Sequence, residues 1–233
     1  MPEIRETPVT GLPGRTPREN IEKPLTGGRE IEPVALIDVS SSNDETVEPT
    51  VAMTKKELIK SFLPLFVGAL EGDDSQAAHE ESGGGLRAFA FSDRGRAQDL
   101  GDLNSARIQD QLGQIVWGGE TYIMDAVRMA EKAFQDEFGD RALRSRPAQE
   151  MLIITDGKLT DPDPFEQWVK QADETLVVAV AVIGSGPGHD MAVQHYQQIA
   201  RQNRYVTVDA LTGVSDPTEV AFDLRLLSGT SSK

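Results

Sequence analysis

The 233-residue chain is 38% hydrophobic, enough to bury the core of one α/β domain, and it contains no cysteine. The missing thiols exclude disulfides, thiolate zinc sites and cysteine nucleophiles, and they agree with a cytosolic location. Lys+Arg 23 against Asp+Glu 38 leaves a formal charge of −15, which repels phosphate backbones and anionic membranes and so argues against both as partners, while tolerating divalent cations.

Residues 1–30 place Pro2, Pro8, Pro13, Pro17 and Pro24 among glycines and balanced charges, which predicts a disordered arm. Its start has neither the basic cluster nor the apolar run of a secretory signal, and no stretch reaches about twenty apolar residues, so a soluble cytoplasmic protein is expected. Residues 31–229 then read as a single domain, with residues 230–233 as a tail. Its first strand, Pro33-Val34-Ala35-Leu36-Ile37, runs into Asp38-Val39-Ser40-Ser41-Ser42 and an acidic stretch. A helix from Lys55 to Leu70 follows, with Leu58, Ile59, Phe62, Leu65 and Phe66 on the expected buried face. Residues 72–85 read as a glycine-rich connector, residues 86–92 as a strand, and residues 96–103 as a short antiparallel edge strand.

A helix is predicted over Ser105–Val116, then the loop Trp117-Gly118-Gly119-Glu120-Thr121. The next helix has Ile123, Ala126, Val127, Ala130, Ala133 and Phe134 on one face, with Gly139 as its terminator. After a charged connector, the strand Met151-Leu152-Ile153-Ile154-Thr155-Asp156-Gly157 leads into a helix at 164–172. The remaining pattern is a strand at 176–183, a turn Gly184-Ser185-Gly186-Pro187-Gly188, a helix to Arg201, a strand at 204–208 and a helix at 217–227. Such alternation implies a doubly wound, mainly parallel sheet flanked by helices, with one antiparallel edge strand. The glycine-rich turn lacks a Walker lysine and lies far from the first strand, which argues against nucleotide binding. His79, His189 and His195 lack ligand spacing and are expected at the surface.

D-x-S-x-S after the first strand, a threonine in a glycine-containing loop and T-D-G closing a later strand resemble a von Willebrand factor type A domain with a metal-ion-dependent adhesion site. The resemblance implies a Rossmann-like fold and a site made of Asp38, Ser40, Ser42, Thr121 and Asp156. It further implies Mg2+ as the ion, with Mn2+ or Ca2+ as alternatives, and no catalytic residue. Few carboxylates and several neutral hydroxyls leave such an ion electrophilic, so the expected partner is a protein offering an Asp or Glu carboxylate. An ATPase or an assembly complex is the partner class that the resemblance implies.

Three features depart from the pattern: Ser41 stands where the family has glycine, Asn43 where it has an apolar residue, and Glu120 places a carboxylate next to Thr121. Glu120 faces solvent on one reading and closes the metal site on the other. Two further functions remain open: a metal-dependent hydrolase or phosphatase with Asp38 as nucleophile or ligand, and a scaffold whose metal site has decayed. The hydrolase needs a cation for its leaving group, and Lys158 is the one such residue expected in these loops.

Overall fold

Strand β1 (Ile31–Asp38) is buried over its last five residues, and alternation sends its side chains into two separate cores. The computed structural model describes residues 29–47, 52–74, 86–212 and 216–227. The expected arm at 1–30 therefore lies, but for its last two residues, outside the described residues, as do His79 and the tail at 230–233.

Five more strands complete one sheet: β2 (Leu86–Phe91), β3 (Gln98–Leu103), β4 (Ala148–Thr155), β5 (Leu176–Gly184) and β6 (Val206–Thr212). Their order is β3-β2-β1-β4-β5-β6, and only β2 and β3 pair antiparallel. One face carries Ala35, Ile37, Leu152 and Ile154 against α1 (Lys55–Asp74), α2 (Ile108–Gly113) and α6 (Pro217–Leu227). The other carries Val34, Leu36, Met151 and Ile153 against α3 (Met124–Phe138), α4 (Pro162–Val169) and α5 (Pro187–Gln202). Covering both faces is what lets β4 and β5 read as unbroken apolar runs. No described helix is long and apolar enough to cross a membrane.

The expected mainly parallel α/β sheet with its edge strand is thus present. Several local expectations differ. Leu65 is exposed, because Leu63 and Val67 share the buried face of α1 with Phe62 and Phe66. Helix α2 is shorter than its periodicity suggested, since residues 105–107 form a turn closed by the Asn104 side chain and Gly113 ends the helix. Gly139 ends α3 in the right-handed conformation, so it is not a left-handed cap. His189 is buried, with Nε2 3.2 Å from the Val182 carbonyl.

From β1 the chain moves outward through β2 and β3, then returns to place β4 on the other side of β1. The switch in winding therefore falls between β1 and β4, and open α/β sheets bind their ligands at that point, outside the carboxyl ends of the strands. Asp38 ends β1, and Asp156 directly follows β4.

Candidate metal centre

Asp38 is fully buried, and both of its carboxylate oxygens have donors. Oδ1 accepts from the Ser40 amide at 2.9 Å and from Asn43 Nδ2 at 3.1 Å; Oδ2 accepts from Thr155 Oγ1 at 2.8 Å. Thr155 reaches it because the parallel register pairs Ile37 with Ile154, which leaves the next residues side by side. Burial and then the like charge of Asp156 push the Asp38 carboxyl up to about 6, against the opposing hydrogen bonds of Ser40 and Thr155.

Beyond Asp38 the chain makes a tight 3-10 turn over Ser41–Asp44, which brings Ser40 Oγ and Ser42 Oγ to 2.9 Å. The Ser42 hydroxyl also helps to hold the Asp156 carboxyl below its ordinary range. Asp156 itself is buried and starts a turn in which its Oδ1 accepts the Lys158 amide at 3.1 Å. Gly157 holds φ +88°, and an added Cβ there would lie 2.4 Å from Ala192 Cβ, so the turn requires glycine.

The loop carrying Thr121 is docked onto the exit of β1. Gly118 donates its amide to the Val39 carbonyl at 2.7 Å, and Ser41 donates both its amide and its hydroxyl to the Gly119 carbonyl, at 3.0 and 2.9 Å. Thr121 is buried beside these contacts, its amide bonded to Thr160 Oγ1 at 3.2 Å. Four of the five expected residues, Asp38, Ser40, Ser42 and Asp156, are thus joined into one cluster, and Thr121 is carried to it by its loop. Glu120 is exposed, and its amide donates to Asp93 Oδ1 at 2.8 Å.

The departures at 41 and 43 acquire local reasons. Ser41 staples the two loops together, and Asn43, almost fully buried, holds the Asp38 side chain and main-chain carbonyl. An apolar residue could do neither.

Sequence reasoning missed one member of the site. Lys55, in the first turn of α1, is only 5% exposed, and its Nζ lies 3.0 Å from Asp156 Oδ2, 3.1 Å from Glu45 Oε2 and 3.3 Å from the Ser42 carbonyl. Burial works to raise the Asp156 carboxyl, but the Lys55 ammonium, with the Ser42 hydroxyl and Lys158 amide, holds it below the ordinary carboxylate range. Lys158, the cation expected here, pairs instead with Glu45 at 3.1 Å. A signal for Lys55 existed: two lysines open α1, where the helix dipole disfavours positive charge, so an acidic neighbour was to be sought.

No trio of His, Cys, Asp or Glu among the described residues forms a metal cage. The cluster instead combines two carboxylates with neighbouring hydroxyls, an all-oxygen set suited to a hard ion such as Mg2+. By that donor chemistry the residues fit a divalent ion.

The sequence profile of the von Willebrand factor type A domain matches residues 34–219. The chain belongs to this family. Solved structures similar to this von Willebrand factor A domain include the SpRpn10 VWA domain, at 12% identity over 84% of this chain and 94% of that one, with a TM-score of 0.57. The PilB minor pilin from Streptococcus sanguinis matches at 12% identity over 90% of this chain and 65% of that one, with a TM-score of 0.58. A von Willebrand factor type A protein from Catenulispora acidiphila matches at 16% over 88% and 43%, with a TM-score of 0.53. Likenesses this distant establish the fold alone. No curated protein sequence matches the chain. Domains of this family are in general protein-interaction modules.

Proposed function

We propose that this domain is a non-enzymatic interaction module that holds a divalent ion, Mg2+ in the first instance, and uses it to engage a carboxylate of a protein partner. The observation that carries this reading is the clustering of Asp38, Ser40, Ser42 and Asp156 at the switch point, with the Thr121 loop docked beside them. Asp38 and Asp156 would supply the negative charge, directly or through water, and the hydroxyls of Ser40, Ser42 and Thr121 would supply neutral oxygens. When bound, the ion would act as a Lewis acid toward an outside oxygen, with a first shell too weakly charged to cancel it. The role of this chain's residues is orientation: Thr155 and Asn43 hold Asp38, and Ser41 keeps the threonine loop against the serine turn.

The same geometry weighs against the hydrolase reading. A nucleophilic carboxylate needs an approachable oxygen, whereas Asp38 is fully buried with both oxygens already bonded. Lys55 adds a cation, yet it is bonded to three oxygens and buried away from any leaving group in solvent.

The test is thermal unfolding with Mg2+ or Mn2+ against chelator. A ligand that binds only the folded state raises the melting temperature by mass action. The shift is expected in the wild type and absent in an Asp38→Ala/Ser40→Ala double variant. An equal shift in that variant places the ion elsewhere.

A further inference from the structure

The Lys55 ammonium is part of the architecture of the site, and three independent features hold it there. The backbone is clamped, since the Lys55 amide donates to the Glu45 carbonyl at 3.0 Å and Thr46 bridges Thr54 just before it. The stem has a reserved path: Gly184 at the end of β5, at φ +127°, carries no Cβ, and one placed there would lie 3.2 Å from Lys55 Cε and 3.9 Å from Nζ. The head is fully engaged, with Asp156, Glu45 and the Ser42 carbonyl all within 3.3 Å of Nζ. A helix N-terminus is a poor place for a lysine on dipole grounds, so the acidic cluster is what favours it.

We propose that Lys55 is a positioning and charge-setting residue of the metal centre, a tethered cation that holds Asp156 by one oxygen and lowers the affinity of the site for its divalent ion. This rests on the metal-centre reading above. Asp38 and Asp156 together carry two negative charges, and Lys55 offsets one of them. A divalent ion entering beside Lys55 therefore meets both a weaker attraction and a like charge, and it finds Asp156 Oδ2 already bonded to Lys55 while Oδ1 accepts the Lys158 amide. The occupied cluster then keeps one net positive charge, where a cluster without the lysine would be neutral. In a chain of formal charge −15, that local excess is what an acidic partner would approach. Glu45 and Lys158, paired at 3.1 Å, form the outer rim and cancel one another.

Mn2+ binding to the purified protein, read by calorimetry or by the loss of free-ion electron paramagnetic resonance signal, tests the proposal. Lys55→Met and Lys55→Gln remove the charge, the latter keeping a hydrogen-bond donor for Asp156, and Lys55→Arg keeps the charge. Both neutral variants are expected to bind Mn2+ at least about tenfold more tightly than wild type, with Lys55→Arg close to wild type. In chelator they are also expected to melt below wild type, and Mn2+ is expected to restore them. A lysine that merely braces the loop would give the reverse, weaker Mn2+ binding in every variant. Wild-type Mn2+ binding with unchanged or weaker binding in both neutral variants overturns the proposal and leaves the metal-centre reading standing. If wild type and variants alike fail to bind Mn2+, both fall. Should Lys55→Met fail to fold, Lys55→Gln decides.

Discussion

Replacing Asp38 with asparagine is expected to stabilise the domain in chelator while abolishing its response to metal. In the folded, metal-free protein the Asp38 carboxyl is raised from 3.8 to about 6, chiefly by burial and then by Asp156. A raised acid favours folding in its protonated form: that contribution is whole below pH 3.8 and is lost as pH rises through about 6. Above that, the buried carboxylate costs roughly 3 kcal/mol, from about two pH units at 1.4 kcal/mol each. Asparagine mimics the protonated form at every pH. It loses something as well, because Thr155 Oγ1 must then accept where it now donates, which costs about 1 kcal/mol. The net gain is about 2 kcal/mol, or roughly 4–8 °C in Tm for a domain of this size. Circular dichroism melts in chelator would show this advantage near about pH 8 and its decline as pH falls through 6. With Mg2+ the order reverses, since only the wild type gains from the ion. An Asp38→Asn protein that melts lower than wild type in chelator near pH 8, or an advantage that does not shrink toward acid pH, would refute the reasoning.

Thr121→Ala is expected to leave the chelated Tm nearly unchanged and to weaken chelator-sensitive capture of an acidic protein partner; pull-downs with and without chelator, beside a melt, check both. Gly184→Ala puts a methyl against the Lys55 stem at a positive φ, so a loss of about 1–3 kcal/mol is expected in denaturant unfolding, with partial relief in a Gly184→Ala/Lys55→Ala double variant. Lys158→Ala breaks only a half-exposed pair with Glu45 and should change stability by under about 1 kcal/mol, less at high salt. Hydrolysis of generic phosphomonoesters with Mg2+ should stay at background, and a turnover removed by Asp38→Asn would restore the hydrolase.

The fold was legible because strands buried on both faces leave unbroken apolar runs, and Leu36 and Ile153 belong to such runs while Val127 and Phe62 recur at helical spacing. The first carboxylates of the site were legible for a related reason: Asp38 and Asp156 stand where those runs stop. What stayed hidden depended on register and loop closure. Thr155 was read as part of T-D-G, but its bond to Asp38 exists only because β1 and β4 are neighbours in parallel register. Lys55 stands 101 residues from Asp156 in the chain, and its burial depends on the absence of a side chain at Gly184, which no local pattern announces. Leu65 was misplaced because periodicity assigns a face without saying where the neighbouring element ends, and His189 because a lack of ligand spacing says nothing of burial.

The most direct measurement of the central claim is a crystal structure of the domain soaked in Mn2+, read by anomalous scattering. A peak is predicted within coordination distance of the Ser40 and Ser42 hydroxyls, with Asp156 still bonded to Lys55 and a coordination position facing solvent. Metal peaks only elsewhere on the domain, or none at a saturating soak, would contradict it.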